Sequence, residues 1–150
     1  MAKPTPLNLL ADLAQNDTEA ATRELGRLQG LRTQAEQQLA ALNKYREEYR
    51  ARMQAMAQDG MTATRWQDYA QFLTSLDGAI RQQGQALAQA EAALLTGRAN
   101  WQSQKRRQNS FDTLVARAEA REQAAGARRE QRANDEYAAR LARAASHRQD

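Results

Sequence analysis

The sequence predicts an all-α protein: a long antiparallel two-helix coiled-coil hairpin with a C-terminal helical extension. Three observations predict it. Apolar residues recur every seven positions along both halves of the chain. Only the segment around Asp59-Gly60 carries a strong turn signal. The only two prolines are Pro4 and Pro6, so ring geometry bars nothing after residue 6 from a helix. Composition agrees, since Ala, Glu, Lys, Leu and Arg supply about half of the chain, the bias of coiled coils and long helices. Aromatic residues are only 5%, and with β-branched residues also scarce a sheet core is not available.

The first helix is predicted over about residues 6–58. Thr5 precedes Pro6, and proline suits the first helical position. Every seventh residue from Leu7 is apolar or aromatic: Leu7, Ala14, Ala21, Leu28, Ala35, Leu42, Tyr49 and Met56. A companion series wanders between the third and fourth offsets through Leu10, Leu25, Leu31, Leu39, Tyr45 and Met53, with Asp17 and Glu24 interrupting it. The turn falls at about 59–63, where Gly60 can take the left-handed conformation that ends a helix. Thr62 or Thr64 then offers an N-cap, and Thr64 with Gln67 resembles a capping box.

The second helix is predicted over about 64–145. From Trp66 the heptad series runs Leu73, Ile80, Leu87, Leu94, Trp101, Gln108 and Val115. Its companion runs Tyr69, Leu76, Gln83, Ala90, Gly97, Gln104, Phe111 and Ala118. Spacing near 3.5 residues sustained this far argues for a coiled coil. Folding back at Gly60 makes neighbours of positions whose numbers total about 122, such as Leu42 with Ile80 and Ala35 with Leu87, so small residues oppose large ones. Each arm of about 50 residues would reach about 75 Å. Leu7 meets Val115, so residues beyond about 118 have no partner within the chain, and high helix propensity carries them. Residues 1–150 are read as a single domain. Its seam is thin, and Gly26, Gly30, Gly78, Gly84 and Gly97 weaken the helices by about 0.5–1 kcal/mol each against Ala.

Several function classes drop out. There is no cysteine, and the one histidine is His147, so disulfides, Cys- or His-ligated metal sites and histidine-based triads are excluded. No apolar run approaches the roughly 18 residues of a membrane span, and the N-terminal stretch, broken by Asp12, is too short and polar for a signal peptide. Lys3, Lys44 and Lys105 are the only lysines and none follows a glycine, so no phosphate-binding loop exists. Acidic pairs such as Glu47-Glu48 and Asp135-Glu136 are adjacent and lie on different helical faces. The reading is a cytoplasmic protein that is not an enzyme, with no catalytic residues, no metal and no cofactor.

The net charge of +4 is uneven: residues 98–150 hold 12 basic and 7 acidic side chains, and residues 1–97 hold 10 and 11. The surplus is mostly arginine, at Arg106, Arg107, Arg117, Arg121, Arg128, Arg129, Arg132, Arg140, Arg143 and Arg148. Such a stretch suits nucleic acid, anionic lipid or an acidic protein surface. Most of these arginines are read as a solvated face with local pairs such as Asp135–Arg132, and a few as a partner surface. Nucleic acid is disfavoured, because stacking aromatics are limited to Trp101, Phe111 and Tyr137 and acidic residues are interleaved.

Around the turn the residues are more specific. Leu42-Asn43-Lys44-Tyr45-Arg46-Glu47-Glu48-Tyr49-Arg50 is followed by Gly60-Met61-Thr62-Ala63-Thr64-Arg65-Trp66-Gln67-Asp68-Tyr69-Ala70-Gln71-Phe72-Leu73 and then Leu76-Asp77-Gly78-Ala79-Ile80. These stretches resemble the FliJ family of flagellar export proteins, most strongly over residues 38–83, with the rest in register and the length agreeing. The resemblance implies an antiparallel two-helix coiled coil similar to the central stalk of rotary ATPases, set in the hexameric ring of the export ATPase FliI, whose assembly it promotes. It also implies contact with the membrane export gate protein FlhA, handling of flagellar export chaperones, and a place on the cytoplasmic side of the cell membrane. Carried over residue by residue, the gate-binding patch is Gln38, Leu42, Tyr45 and Tyr49 on the first arm with Phe72, Leu76, Ala79 and Gln83 on the second. Gln83 stands where some relatives have histidine.

Both sets step by four, three and four, so each lies along one helical face. Leu42, Tyr49 and Leu76 are equally readable as seam residues, whereas Tyr45 and Phe72 are read as surface, since so many aromatics exceed what a narrow seam needs. The ATPase ring is read as contacting the N-terminal arm and the basic stretch after Arg98, with Arg106, Arg107 and Arg117 as candidates by charge complementarity. Two other readings stay open: the equivalent stalk of a virulence type III secretion system, and a generic structural coiled coil.

Overall fold

The structure, a computed structural model, describes residues 5–149. It is an all-α hairpin of two long helices packed against each other, α1 over Pro6–Asp59 and α2 over Ala63–His147. The start of α1 is capped by Thr5, whose Oγ1 accepts a hydrogen bond from the Asn8 N–H at 3.1 Å. Gly60 ends it at φ 97°, among the described residues the one positive φ, a conformation that costs a side chain but not glycine. Thr62 caps α2, its Oγ1 accepting from the Arg65 N–H at 3.3 Å. Because α2 already begins at Ala63, Thr64 lies inside the helix and is not its cap.

Contacts group the chain into two units. One is Asp17–Gln104; the other joins the residues through Asn16 with those from Lys105 onward.

In the Asp17–Gln104 unit the arms pair antiparallel. Thr18 meets Gln104, Arg32 meets Glu91, Gln38 meets Gln83, Arg46 meets Asp77 and Tyr49 meets Phe72, so partner numbers total about 122, the register of a fold-back at Gly60. The α2 seam follows the sequence spacing without a slip: Tyr69, Leu73, Leu76, Ile80, Gln83, Leu87, Ala90, Leu94, Gly97, Trp101 and Gln104 are all buried or half-buried.

On α1 the companion series needs correcting. The spacing offers Leu31 and Tyr45 as seam residues, but they are 43% and 41% exposed. The seam instead takes the fourth offset throughout: Thr18, Leu25, Arg32, Leu39, Arg46 and Met53 are buried or half-buried. Three of these are polar or charged, so hydrophobic spacing undercounts them. They fit because each finds a partner across the seam. Thr18 Oγ1 donates to the Gln104 carbonyl at 3.1 Å, Arg32 Nε lies 3.6 Å from the Glu91 carboxylate, and Arg46 Nε lies 2.5 Å from Asp77. Long arginine stems cover apolar neighbours while their heads stay wet. Trp66, which opens the α2 series, is 47% exposed; it stands in the first turn of α2, beside the reversal, where the seam has run out.

A polar layer crosses the same seam. Trp101 Nε1 donates to Thr22 Oγ1 at 2.8 Å, and Thr22 Oγ1 donates to the Thr18 carbonyl at 2.8 Å. Just beyond it, Gly97 is a fitted residue and not a mere weakness. A Cβ built there would stand 2.6 Å from Leu28 Cδ1, so the missing methyl is what admits the Leu28 side chain.

In the other unit the half-buried residues are Leu7, Asn8 and Ala11 on α1 and Lys105, Gln108, Phe111, Val115, Ala125 and Gly126 on α2, with Ala14 fully buried. Leu10 repeats the correction above: it is 41% exposed, and Ala11 takes its place. From Ala127 to Gln149 every described residue is exposed, so this stretch of α2 stands on helix propensity alone, as the alanine- and arginine-rich sequence permits.

Three outcomes follow for thermal unfolding followed by circular dichroism. Gly97→Leu overpacks the Leu28 contact and lowers stability by about 1–3 kcal/mol, whereas Gly78→Ala, with open space around its Cβ, raises it by about 0.5–1 kcal/mol. A chain ending at Ala127 loses helical signal in proportion to the residues removed and keeps its melting temperature; a large drop would give the exposed stretch a structural role.

Candidate functional site

The eight residues carried over from the family pattern all lie in the Asp17–Gln104 unit, but not all at its surface. Leu76 is buried at 7% exposure. Leu42, Tyr49, Ala79 and Gln83 are half-buried, and Gln38, Tyr45 and Phe72 are exposed. The pattern is therefore one edge of the coiled coil: seam positions Leu42, Tyr49, Leu76 and Gln83, flanked by Gln38, Tyr45, Phe72 and Ala79 one step round each helix. Tyr45 and Phe72, read from sequence as surface, are 41% and 38% exposed.

The aromatic members form one cluster. Tyr49 and Phe72 have ring centroids 4.4 Å apart, Tyr45 meets Phe72 edge-on at 6.1 Å, and Tyr45 lies 6.3 Å from Tyr49. Such aromatic pairs are worth about 0.5–1.5 kcal/mol beyond their area, so the cluster clamps the two arms and still shows two ring edges to solvent. One turn N-terminal to Phe72, Tyr69 completes it. Its ring centroid is 4.8 Å from that of Tyr49, and its hydroxyl donates to Met56 Sδ at 3.0 Å. Tyr69 was legible as a seam residue, and its place three residues before Phe72 is the signal that could have assigned it to the cluster.

Farther from the turn, Gln83 bridges the arms. Its Nε2 donates to the Ala35 carbonyl and to Gln38 Oε1, both at 3.1 Å. Beside this bridge runs a shallow groove of about 420 Å³ bordered by Leu31, Gln34, Ala86 and Gln89. The Arg46–Asp77 ion pair lies on the other edge of the seam, since Arg46 is one residue, about 100°, round from Tyr45. It fixes register, while the charges nearest the aromatic edge are Arg52 and Asp68, which act on the Tyr49 hydroxyl.

The crowded rings leave a titration signature. Loss of water around the Tyr49 hydroxyl, and then the nearby Tyr69 and Tyr45 phenols, push its pKa above the usual tyrosine value. The folded chain thus resists forming this phenolate. Its contribution to stability is in place below about pH 10 and is lost as pH climbs past the unfolded value.

This surface offers ring edges, two amides and an apolar floor. Among the described residues no group of His, Cys, Asp and Glu could hold a metal ion, and no helix is long and apolar enough to cross a membrane. Fold and surface together define a coiled-coil protein whose candidate site is an edge shared by its two helices. The family described as flagellar FliJ protein matches residues 2–147 of this chain. The chain is 35% identical over 142 residues to the flagellar FliJ protein of Escherichia coli strain K12 and 34% identical over 142 residues to that of Salmonella typhi; each match covers 95% of this chain and 97% of the relative. The chain belongs to the FliJ family, and with it to the components of flagellar protein export.

Alkaline titration of tyrosinate absorbance should show one component rising later than the others. That late component disappears in Tyr49→Phe, and its persistence there would place the shifted phenol elsewhere.

Proposed function

We propose that this chain is a non-enzymatic stalk of the flagellar export apparatus. It sits in the hexameric ring of the export ATPase FliI, promotes ring assembly, joins the ring to the export gate protein FlhA and handles export chaperones. It hydrolyses nothing itself. Its position at the cytoplasmic side of the cell membrane follows from the gate contact.

The observation that carries this reading is the half-open aromatic edge. Tyr45 and Phe72 are seated on Tyr49 and present ring edges to solvent, and interface hot spots favour anchored aromatics of this kind. Gln38, Leu42, Tyr45, Tyr49, Phe72, Leu76, Ala79 and Gln83 then divide the work. Tyr45, Phe72, Ala79 and Gln38 touch the gate; Tyr49 and Gln83 hold them in place; Leu42 and Leu76 supply the floor.

For the ATPase ring the reading uses the other unit, where Leu9 and Leu13 of α1 are exposed. Apolar contacts there would give affinity.

The test is a chain carrying Tyr45→Ala and Phe72→Ala, with Tyr49 kept so that the clamp between the arms survives. It should retain its helicity and its capture of the purified ATPase. Capture of the gate's cytoplasmic domain should fall at least about tenfold, the loss of one modest hot spot, and swimming should fall with it. Normal gate capture by this variant would remove the aromatic edge from the contact.

A further inference from the structure

The arginines of the C-terminal part of α2 repeat every eleven residues. Arg106, Arg117 and Arg128 form one row, and Arg121, Arg132 and Arg143 form another. Eleven residues are nearly three helical turns, so such rows drift by only about 20° per repeat. All six side chains therefore fall in an arc of about 100° that runs about 55 Å along the helix. All six are exposed.

None of the six is in an ion pair, and Arg121 Nε donates only to the Arg117 carbonyl at 3.4 Å. Among the described residues no carboxylate lies within ion-pair distance of any of the six, and the Asp135–Arg132 pair suggested by the sequence does not form. The carboxylates nearby are otherwise engaged or face away. Glu122 binds Arg129 at 3.2 Å and Glu136 binds Arg140 at 3.7 Å, while Asp112, Glu119 and Glu130 lie on the opposite side of the helix by the same periodicity. Asp135 is the one carboxylate inside the arc. Nor does α1 cover it, because α1 packs on the face carrying Gln108, Phe111 and Val115.

We propose that this straight arginine stripe lays the C-terminal part of α2 along an anionic lipid surface. The shape favours a plane. Between the arginines the arc holds, besides Asp135, only Ser110, Leu114 and alanines, a low relief that lets every guanidinium reach one flat layer of phosphates at once. A protein partner is the weaker match, since the stripe lacks the large aromatic anchors on which such interfaces depend. A nucleic-acid duplex fits worse, because a straight helix leaves a winding groove long before its stripe ends. This contact goes beyond the gate reading and does not rest on it: it requires lipid only, and no gate protein.

The experiment is sedimentation of the purified full-length chain with vesicles of phosphatidylcholine alone or mixed with phosphatidylglycerol. Binding should appear only on the mixed vesicles and vanish in strong salt, as the Debye length shortens from about 10 Å at 0.1 M to about 3 Å at 1 M. Two triple variants, Arg106→Gln with Arg117→Gln and Arg128→Gln, and Arg121→Gln with Arg132→Gln and Arg143→Gln, should each lose affinity on the order of 100-fold. Glutamine keeps helix propensity, and circular dichroism checks it. A control losing the same charge, Arg23→Gln with Arg52→Gln and Arg81→Gln, should bind nearly as the parent chain does. Equal loss in the control, binding to neutral vesicles, or no binding to the mixed ones would overturn the proposal. So would triple variants that keep the vesicles but lose capture of the purified ATPase, an outcome that assigns the stripe to a protein partner.

Discussion

Each helix buries a single stripe of residues spaced alternately three and four apart, and two such stripes are all that hold the arms together. Among the described residues seven apolar side chains are buried, and three of them, Ala14, Ala21 and Ala35, are alanine. A seam of this kind gains little from volume. It depends on fit: small residues on α1 set against large ones on α2, and at Gly97 no side chain at all, so that Leu28 can enter. Burial of a large apolar side chain contributes about 1.5–3 kcal/mol against about 1–2 kcal/mol of backbone entropy for every residue ordered, so a slip of one position would cost the hairpin most of its margin.

Polar residues supply the register that apolar packing leaves loose. Alanine against leucine is nearly as good one heptad along, but Thr18 on the Gln104 carbonyl, Trp101 on Thr22, Arg46 on Asp77 and Arg32 on Glu91 are satisfied in one alignment only. As exposed pairs the arginine bridges are worth at most about 1 kcal/mol each, so their value is in selecting among alignments. Near the turn the aromatic cluster does the same by shape. Four rings from both arms interlock there, and the two outer ones remain in contact with water.

Heptad arithmetic made the fold legible because both helices keep a strict repeat and the turn is marked by glycine. It read the α2 seam position for position from Tyr69 to Val115, missing only at the exposed Trp66 and Ala118, and it read α1 at every seventh residue from Leu7. It failed at Ala11, Thr18, Arg32 and Arg46, where the seam takes small or polar residues while Leu10, Leu31 and Tyr45 beside them stay exposed. Hydrophobicity cannot see a guanidinium whose carboxylate lies on the other arm. The candidate site was legible as a set of residues through the family resemblance. Its layering was not, because spacing alone does not separate the buried Leu76 from the exposed Phe72 four residues away.

This layering bears on what the surface can do. A free aromatic on a helix loses rotamer freedom on binding, at a cost of about 0.5–1.5 kcal/mol for each side chain immobilised. Tyr45 and Phe72 have already lost much of it, because Tyr49 packs against both and is itself backed by Tyr69. The outer rings are thus arranged before any partner arrives. The inner rings belong to the seam, so a partner that grips the edge also grips the alignment of the two arms. In a hairpin whose margin is this narrow, occupancy of the aromatic edge and stability of the coiled coil are thermodynamically linked: whatever binds the aligned form favours it over any other, by an amount set by its own affinity.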